Sequence, residues 1–295
     1  MKFAHIVGLG SYLPEHILRN EELAERLDSS DGWIQQRTGI RQRHIAAEEE
    51  TTSLMGTRAA RAALEQAGIP PTEVELIVVA TCTPEYWFPS TACQIQGNLG
   101  AKAAAAFDIS AACSGFVYAL HMANQAVRTG SARTALVVGA ERMSRVLDWQ
   151  DRNTCVLFGD AAAAVVLQGR EESGGILTSR LGADGGKGEL LTLPVSYSSP
   201  EPAHAPHATP LIHNVMMMQG SRVFRYATEV LVSAIEDMAR SAHLTPEMID
   251  LIVPHQANVR IVEHAARRLD LPLGKFYLRV AERAISDLTT NWGLD

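Results

Sequence analysis

The sequence predicts an α/β fold made of two related halves, on three observations. Helical patterns such as TSLMGTRAARAALEQAG alternate with short apolar runs such as VELIVVAT and TALVVGAE, as buried strands between helices do. Residues 62–78, AALEQAGIPPTEVELIV, are echoed at 237–253, DMARSAHLTPEMIDLIV, an offset of 175 that aligns Pro71 with Pro246 and Leu76 with Leu251. Each copy reads as a helix, a Pro-marked turn with an acidic residue, then a buried strand. Duplicated halves also account for the length, 295 residues, with the division expected at 1–170 and 171–295.

With 46% hydrophobic and 20% charged residues, the chain can bury one large core or two modest ones. A net charge of −7 argues against a generic nucleic-acid binder, while a local basic patch could still meet an acidic partner. The four cysteines, Cys82, Cys93, Cys113 and Cys155, have neither paired metal-ligand spacing nor a compact disulfide framework, which predicts a reducing, cytoplasmic setting. The opening MKFAHIVGLGSYLPE is too short and broken in its apolar stretch for a secretory leader. The absence of an 18-residue apolar run predicts no membrane span.

Taken in order, GLGSYL (residues 8–13) begins like a dinucleotide fingerprint, but Leu13 stands where the third glycine belongs. A tight turn after the first strand is expected there instead. Residues 103–130, AAAAFDISAACSGFVYALHMANQAVRTG, hold a strand-length apolar run ending at Ile109, then apolar residues at helical spacing that stop at Gly130. Cys113 falls at the strand-to-helix turn. Unpaired amides and the helix dipole favour a negative charge at that point, and cysteines so placed ionise at roughly pH 3.5 to 7.5. Small neighbours (Ser110, Ala111, Ala112, Ser114, Gly115) leave room for a carbonyl and for backbone donors to its oxyanion. From this stretch alone two readings stand, a nucleophile for acyl chemistry and a buried structural cysteine.

FGDAAAAVVL (158–167) reads as a turn and a strand with a structural role. Residues 182–214, rich in Gly, Pro and Ser, read as an exposed excursion. Its His204, His207 and His213 are separated by prolines and have no cysteine or carboxylate cluster beside them, so no metal site is expected. In the second half, the run DLIVPHQAN is expected as a strand ending in His255, before the helical VRIVEHAARRL. The offset of 175 pairs His255 with Ala80, at the strand end that precedes Cys113. A cysteine and a histidine converging from two halves would make an acyl-transfer pair.

DISAACSGFVYAL, WIQQRTGIRQRH, FPSTACQIQGNLG, VLFGDAAAAVVL and VPHQANVRI together resemble β-ketoacyl-acyl-carrier-protein synthase III, a thiolase-fold condensing enzyme that starts type II fatty-acid synthesis. The resemblance runs in order over about residues 1 to 278. It implies thiolase-like duplicated α/β halves in αβαβα layers, with Cys113 as the nucleophile that takes an acyl group from coenzyme A. His255 would assist decarboxylation and stabilise the thioester oxyanion. Malonyl-acyl carrier protein would lose carbon dioxide to an enolate that attacks acyl-Cys113. That demands donors able to hold enolate charge without protonating it.

By the same resemblance, Trp33 and Arg152 sandwich the adenine of the coenzyme and Arg37 contacts its phosphates, work suited to a planar ring and guanidinium groups. Ser221 stands where the family commonly has asparagine among its coenzyme contacts. Phe88 would reach across a homodimer interface to shape the acyl pocket, and Arg225 and Arg260 would dock the acidic carrier protein. No cofactor is expected; coenzyme A enters as a thioester substrate, and neither nucleic acid nor membrane is an expected partner. From Arg279 the chain reads RVAERAISDLTTNWGLD, without the family's GNTSA asparagine loop, expected near residue 288, or its glycine-rich final strands. Neither Asn258 nor Asn291 is its equivalent. The C-terminal half is thus expected to be incomplete and the activity impaired. Two other readings stay open: a condensing enzyme or acyltransferase of secondary metabolism, and a silent subunit pairing through the face around Phe88.

Overall fold

The computed structural model of the chain describes residues 2–194 and 215–278. In chain order its elements begin with β1 (Phe3–Tyr12), β2 (Ile17–Arg19), α1 (Asn20–Ala24), α2 (Asp31–Thr38), β3 (Gln42–His44) and α3 (Thr52–Ala67). There follow β4 (Leu76–Ala80), α4 (Thr91–Leu99), β5 (Ala105–Ile109), α5 (Gly115–Thr129), β6 (Thr134–Arg142) and β7 (Asp160–Arg170). The remainder is β8 (Leu191–Thr192), β9 (Met217–Met218), α6 (Gly220–Ser241) and α7 (Val259–Arg268).

Five strands form the main sheet in the order β1-β7-β6-β4-β5. β4 runs parallel to β5 and β6, while β7 is antiparallel to β6 and β1. The alternation of side chains along a strand sorts the core into two layers. Ile77 and Val79 of β4 and Leu136 and Val138 of β6 pack under Met55, Ala59, Ala60 and Ala63 of α3. Their neighbours Leu76, Val78, Ala135 and Val137 face Phe116, Ala119, Ala123 and Val127 of α5. With both faces covered, β4 and β6 are buried along their whole lengths, which is why they read as unbroken apolar runs.

The expected turn at GLGSYL is corrected. β1 continues through it to Tyr12, with a register irregularity against β7 between Ile6 and Gly8. The glycines serve a close approach instead: a Cβ on Gly8 or Gly10 would collide with the α3 backbone at the carbonyls of Ala63 and Ala59. Glycine there lets a strand and a helix pack backbone to backbone.

The internal echo is also an echo of structure. Each proline opens a short 3-10 turn, Pro71–Glu73 after α3 and Pro246–Met248 after α6. The first turn leads into β4, whereas the strand expected over DLIV is reduced to one parallel bridge, Ile252 with Phe276. Ile235, Ile252, Val262, Ala266, Leu271 and Phe276 bury a separate small core between α6 and α7. A strand needs a ladder of paired residues, and among the described residues the run has the one bridge at Ile252. The excursion is described in part: a 3-10 turn at Gly185–Leu190 and β8, which pairs with β9 just beyond it. His204, His207 and His213 lie outside the described residues, as does the 279–295 segment that departs from the family motifs.

Candidate active site

Cys113 sits half-buried in a single 3-10 turn, Ala112–Ser114, between β5 and α5. The turn is tight enough to hold Ala112 at φ 45°, a left-handed conformation that costs a residue bearing a Cβ of order 1 kcal/mol or more. Gly115 then begins α5 so near β4 that a Cβ there would lie 3.2 Å from the Ala80 Cβ. The helix start is therefore seated at the carboxyl ends of the parallel strands, where α/β sheets collect their ligands.

The segment after β4 is held rigidly beside this turn. Thr81 N donates to Ile109 O at 3.2 Å, while the buried Glu141 carboxylate accepts from Cys82 N at 2.7 Å and Thr83 Oγ1 at 2.6 Å. Further along, Glu85 accepts from Ser53 N at 2.6 Å at the start of α3. Burial pushes the Glu85 carboxyl up, but hydrogen bonds from Ser53 and Thr51 outweigh it and hold the group below the usual carboxylate range. The loop so anchored projects Tyr86, Trp87 and Phe88 into solvent; Phe88 is 86% exposed.

His255 is half-buried, three residues beyond the Ile252 bridge. Its segment docks on the first half. Ala257 packs with Met143, Leu147 and Phe158, and Val259 packs with Ile40 and Leu157. Asn258 caps α7 by accepting from Arg260 N at 2.9 Å and donates through Nδ2 to Arg37 O at 2.8 Å.

Trp33, Arg37 and Arg152 come together in space. The guanidinium carbons of Arg37 and Arg152 lie 5.4 and 5.2 Å from the centre of the Trp33 ring. Ser30 caps α2 by accepting from Trp33 N, and the ring rests on a cluster that includes Leu23, Ile34, Cys155 and Val156. Arg152 also pairs with Asp28. A flat ring with two guanidinium groups beside it offers stacking surface for a purine and donors for phosphate oxygens.

Ser221 is exposed in the first turn of α6. Arg225 is exposed one turn on, next to Phe224, whose ring lies 5.8 Å from the Arg260 guanidinium. The two arginines thus stand on packed helices. Asp160 of the FGD run is buried and accepts from Ala46 N, Ser144 N and Ser144 Oγ, a tie between loops. Burial pushes its pKa up. Cys155, buried in the cluster under Trp33, is pushed to about 11 by burial, which leaves it a protonated packing residue. No group of three potential metal ligands occurs among the described residues.

Sequence reasoning passed over several of these residues. Glu141, Asn20 and Arg43 make contacts across long sequence separations, and Phe224 shows only as one apolar residue of a helix face. IRQRH contained Arg43, but nothing local distinguishes a buried arginine from a solvated one.

A cysteine at the start of an amphipathic helix, at the carboxyl end of the parallel strands of a mixed sheet, with a histidine loop from the second half of the chain docked on the first, matches the layout of a thiolase-fold condensing enzyme. The family model for 3-oxoacyl-[acyl-carrier-protein] synthase III matches residues 107–185, and that for its C-terminal region matches 239–284. Over 278 residues the chain is 50% identical to the β-ketoacyl-[acyl-carrier-protein] synthase III of Caldanaerobacter subterraneus, covering 94% of this chain and 83% of that one. The crystal structure of the Aquifex aeolicus synthase III superposes with a TM-score of 0.88 at 41% identity, covering 98% and 88% of the two chains. A priming β-ketosynthase from the R1128 polyketide biosynthetic pathway matches with a TM-score of 0.83 at 38% identity, covering 92% and 79%. The chain belongs to the β-ketoacyl-acyl-carrier-protein synthase III family.

Proposed function

We propose that the chain condenses an acyl-CoA primer, acetyl-CoA first among them, with malonyl-acyl carrier protein. The Cys113 thiolate attacks the thioester carbonyl, coenzyme A leaves as the thiol, and the acyl group remains on sulfur. Decarboxylation of the malonyl group then supplies an enolate whose carbon attacks acyl-Cys113. The new carbon–carbon bond forms as the cysteine sulfur leaves, giving a β-ketoacyl carrier protein. Backbone donors at the start of α5 and the His255 imidazole serve the successive oxyanions. A single such donor is typically worth roughly 10²- to 10³-fold, so without a GNTSA asparagine condensation would run slower by about that factor than with one.

The observation that carries this reading is the Trp33 platform, where residues far apart in sequence form a surface suited to a nucleotide thioester. Arg225 and Arg260 on neighbouring helices support docking of an acidic carrier protein. A homodimer is supported by β5, an open sheet edge with Phe107 exposed, and by the exposed Tyr86–Phe88 loop beside it. Four free cysteines support work in a reducing setting such as the cytoplasm, and coenzyme A enters as a thioester substrate. The echo supports two halves, 1–170 and 171–295.

The test is the intact mass of the chain after incubation with acetyl-CoA and longer acyl-CoAs, then with malonyl-acyl carrier protein. An acyl adduct absent from Cys113→Ala and discharged by the malonyl carrier is expected. No adduct on folded protein would overturn the reading. A second reading, priming of another pathway, is favoured by the likeness to the polyketide priming synthase. Discharge by an alternative acceptor alone would select it.

A further inference from the structure

We infer that Arg43 is a positioning residue for the nucleotide end of the acyl-CoA, setting α2 against the 151–157 segment from beneath the Trp33 platform. The inference rests on the coenzyme reading of that platform. Arg43 is fully buried on β3, a short edge strand, and its guanidinium donates in three directions. Nη1 reaches Leu18 O of β2 at 3.2 Å, while Nη2 reaches Asn20 Oδ1 of α1 at 2.9 Å and Val156 O at 3.0 Å.

Each bond has a consequence one step further out. Val156 lies four residues from Arg152 and packs in the same cluster as Trp33. Asn20, itself buried, passes the contact on: its Nδ2 donates to Asp31 Oδ1 at 2.9 Å and to Ile40 O at 2.7 Å. Asp31 is the first residue of α2, and Ile40 follows the Gly39 that ends it. Both ends of the helix that carries Trp33 and Arg37 are therefore bonded to one amide, which is bonded to Arg43. The same guanidinium holds the segment that carries Arg152. Trp33 and Arg152 belong to different elements, so their relative placement, 5.2 Å from guanidinium carbon to ring centre, sets the surface that a purine meets.

Among the described residues no carboxylate lies within ion-pair distance of Arg43; its hydrogen-bond acceptors are all neutral, and Glu22 acts on the charge only at longer range. A buried charge of this kind is a poor source of stability, and an apolar side chain of similar size is often tolerated in its place. What an apolar chain lacks is three donors in a fixed fork that reach three elements at once. Binding groups must be held within about 0.5 Å of their working geometry by such supporting bonds.

The test compares two thioesters on the intact chain: acetyl-CoA, and acetyl-pantetheine, which lacks the nucleotide. The rate of Cys113 acylation is followed by mass for the parent, Arg43→Met and Arg43→Lys, with Trp33→Ala as control. Arg43→Met is expected to raise the half-saturating acetyl-CoA concentration by about tenfold while its limiting rate stays within about twofold. Its rate with acetyl-pantetheine should also stay within about twofold, and Arg43→Lys should fall between it and the parent. Equal losses with both thioesters, or no loss with acetyl-CoA, would overturn the inference. If Arg43→Met melts below the assay temperature, Asn20→Ser is read in its place for the same selective loss, with the same outcomes deciding. Trp33→Ala tells the two ideas apart. A selective loss there with none in Arg43→Met removes only the positioning role, and no selective loss in Trp33→Ala removes the coenzyme reading beneath it.

Discussion

Asn258 joins the two halves of the molecule: its Nδ2 donates to the main-chain oxygen of Arg37 at 2.8 Å, while its Oδ1 caps α7. Arg37 O is one of the carbonyls that the end of α2 leaves without a helical partner. The loop carrying His255 is thereby fastened to the helix carrying Trp33. Asn258→Asp keeps the cap but sets a carboxylate against a helix C-terminus, and should cost about 1–2 kcal/mol in denaturant unfolding. Asn258→Ala loses both bonds and should cost at least as much. An aspartate variant as stable as the parent would show that the bond contributes nothing.

The left-handed Ala112 sets the turn that presents Cys113. Ala112→Gly removes the Cβ strain but adds chain entropy to the unfolded state, so stability should change by less than about 1 kcal/mol. Ala112→Val, a β-branched residue at positive φ, should lose about 2 kcal/mol or more and slow acylation of Cys113. Equal behaviour of the two variants in thermal melts and acylation assays would mean that the turn carries no such constraint.

Gly10 meets the α3 backbone where no flexible side chain can move aside. Gly10→Ala should therefore destabilise by about 2–3 kcal/mol, although alanine suits a strand no worse than glycine does. Gly97, on the exposed side of α4 with open space around it, is the matched control. Gly97→Ala should stabilise by roughly 0.5–1 kcal/mol. A mild Gly10→Ala, measured by urea unfolding, would refute close packing of β1 on α3.

Cys155 links stability to alkaline pH. Burial, with Asp151 nearby, raises its thiol from 9.0 to about 11 in the folded chain. Between those values the unfolded chain binds fewer protons than the folded one, so stability falls as pH rises. The contribution is flat below pH 9 and amounts to at most about 3 kcal/mol across the window. Cys155→Ala should flatten that part of the pH profile, whatever it does to stability at neutral pH. A profile from urea midpoints with an unchanged slope would count against the shift.

The strand-to-helix turn at Cys113 was legible because its signals are local: an apolar run, a cluster of small residues, and a helical period ending at Gly130, which adopts φ 80°. The Pro71 and Pro246 turns were legible for the same reason. GLGSYL was misread as a turn because the demand for glycine comes from α3, some fifty residues away, and leaves no trace in the flanking sequence. The run DLIV reads as a buried strand, but Leu251 and Val253 are exposed and only Ile252 is buried. Only pairing decides how much of it becomes a strand, and here one bridge forms.

The sequence by itself determined the class of the chain, its nucleophile and histidine as candidates, and the repeat of helix, Pro turn and strand, because each is written in spacing and residue type over a few turns of chain. Tertiary structure alone decided that Arg43 lies buried beneath the surface of Trp33, Arg37 and Arg152 that the family resemblance implies, and that Asn258 ties the second half to the first. Those facts depend on which acceptors surround a donor after the chain has folded. A guanidinium in solvent and one holding three elements together are the same letter until the packing around them exists.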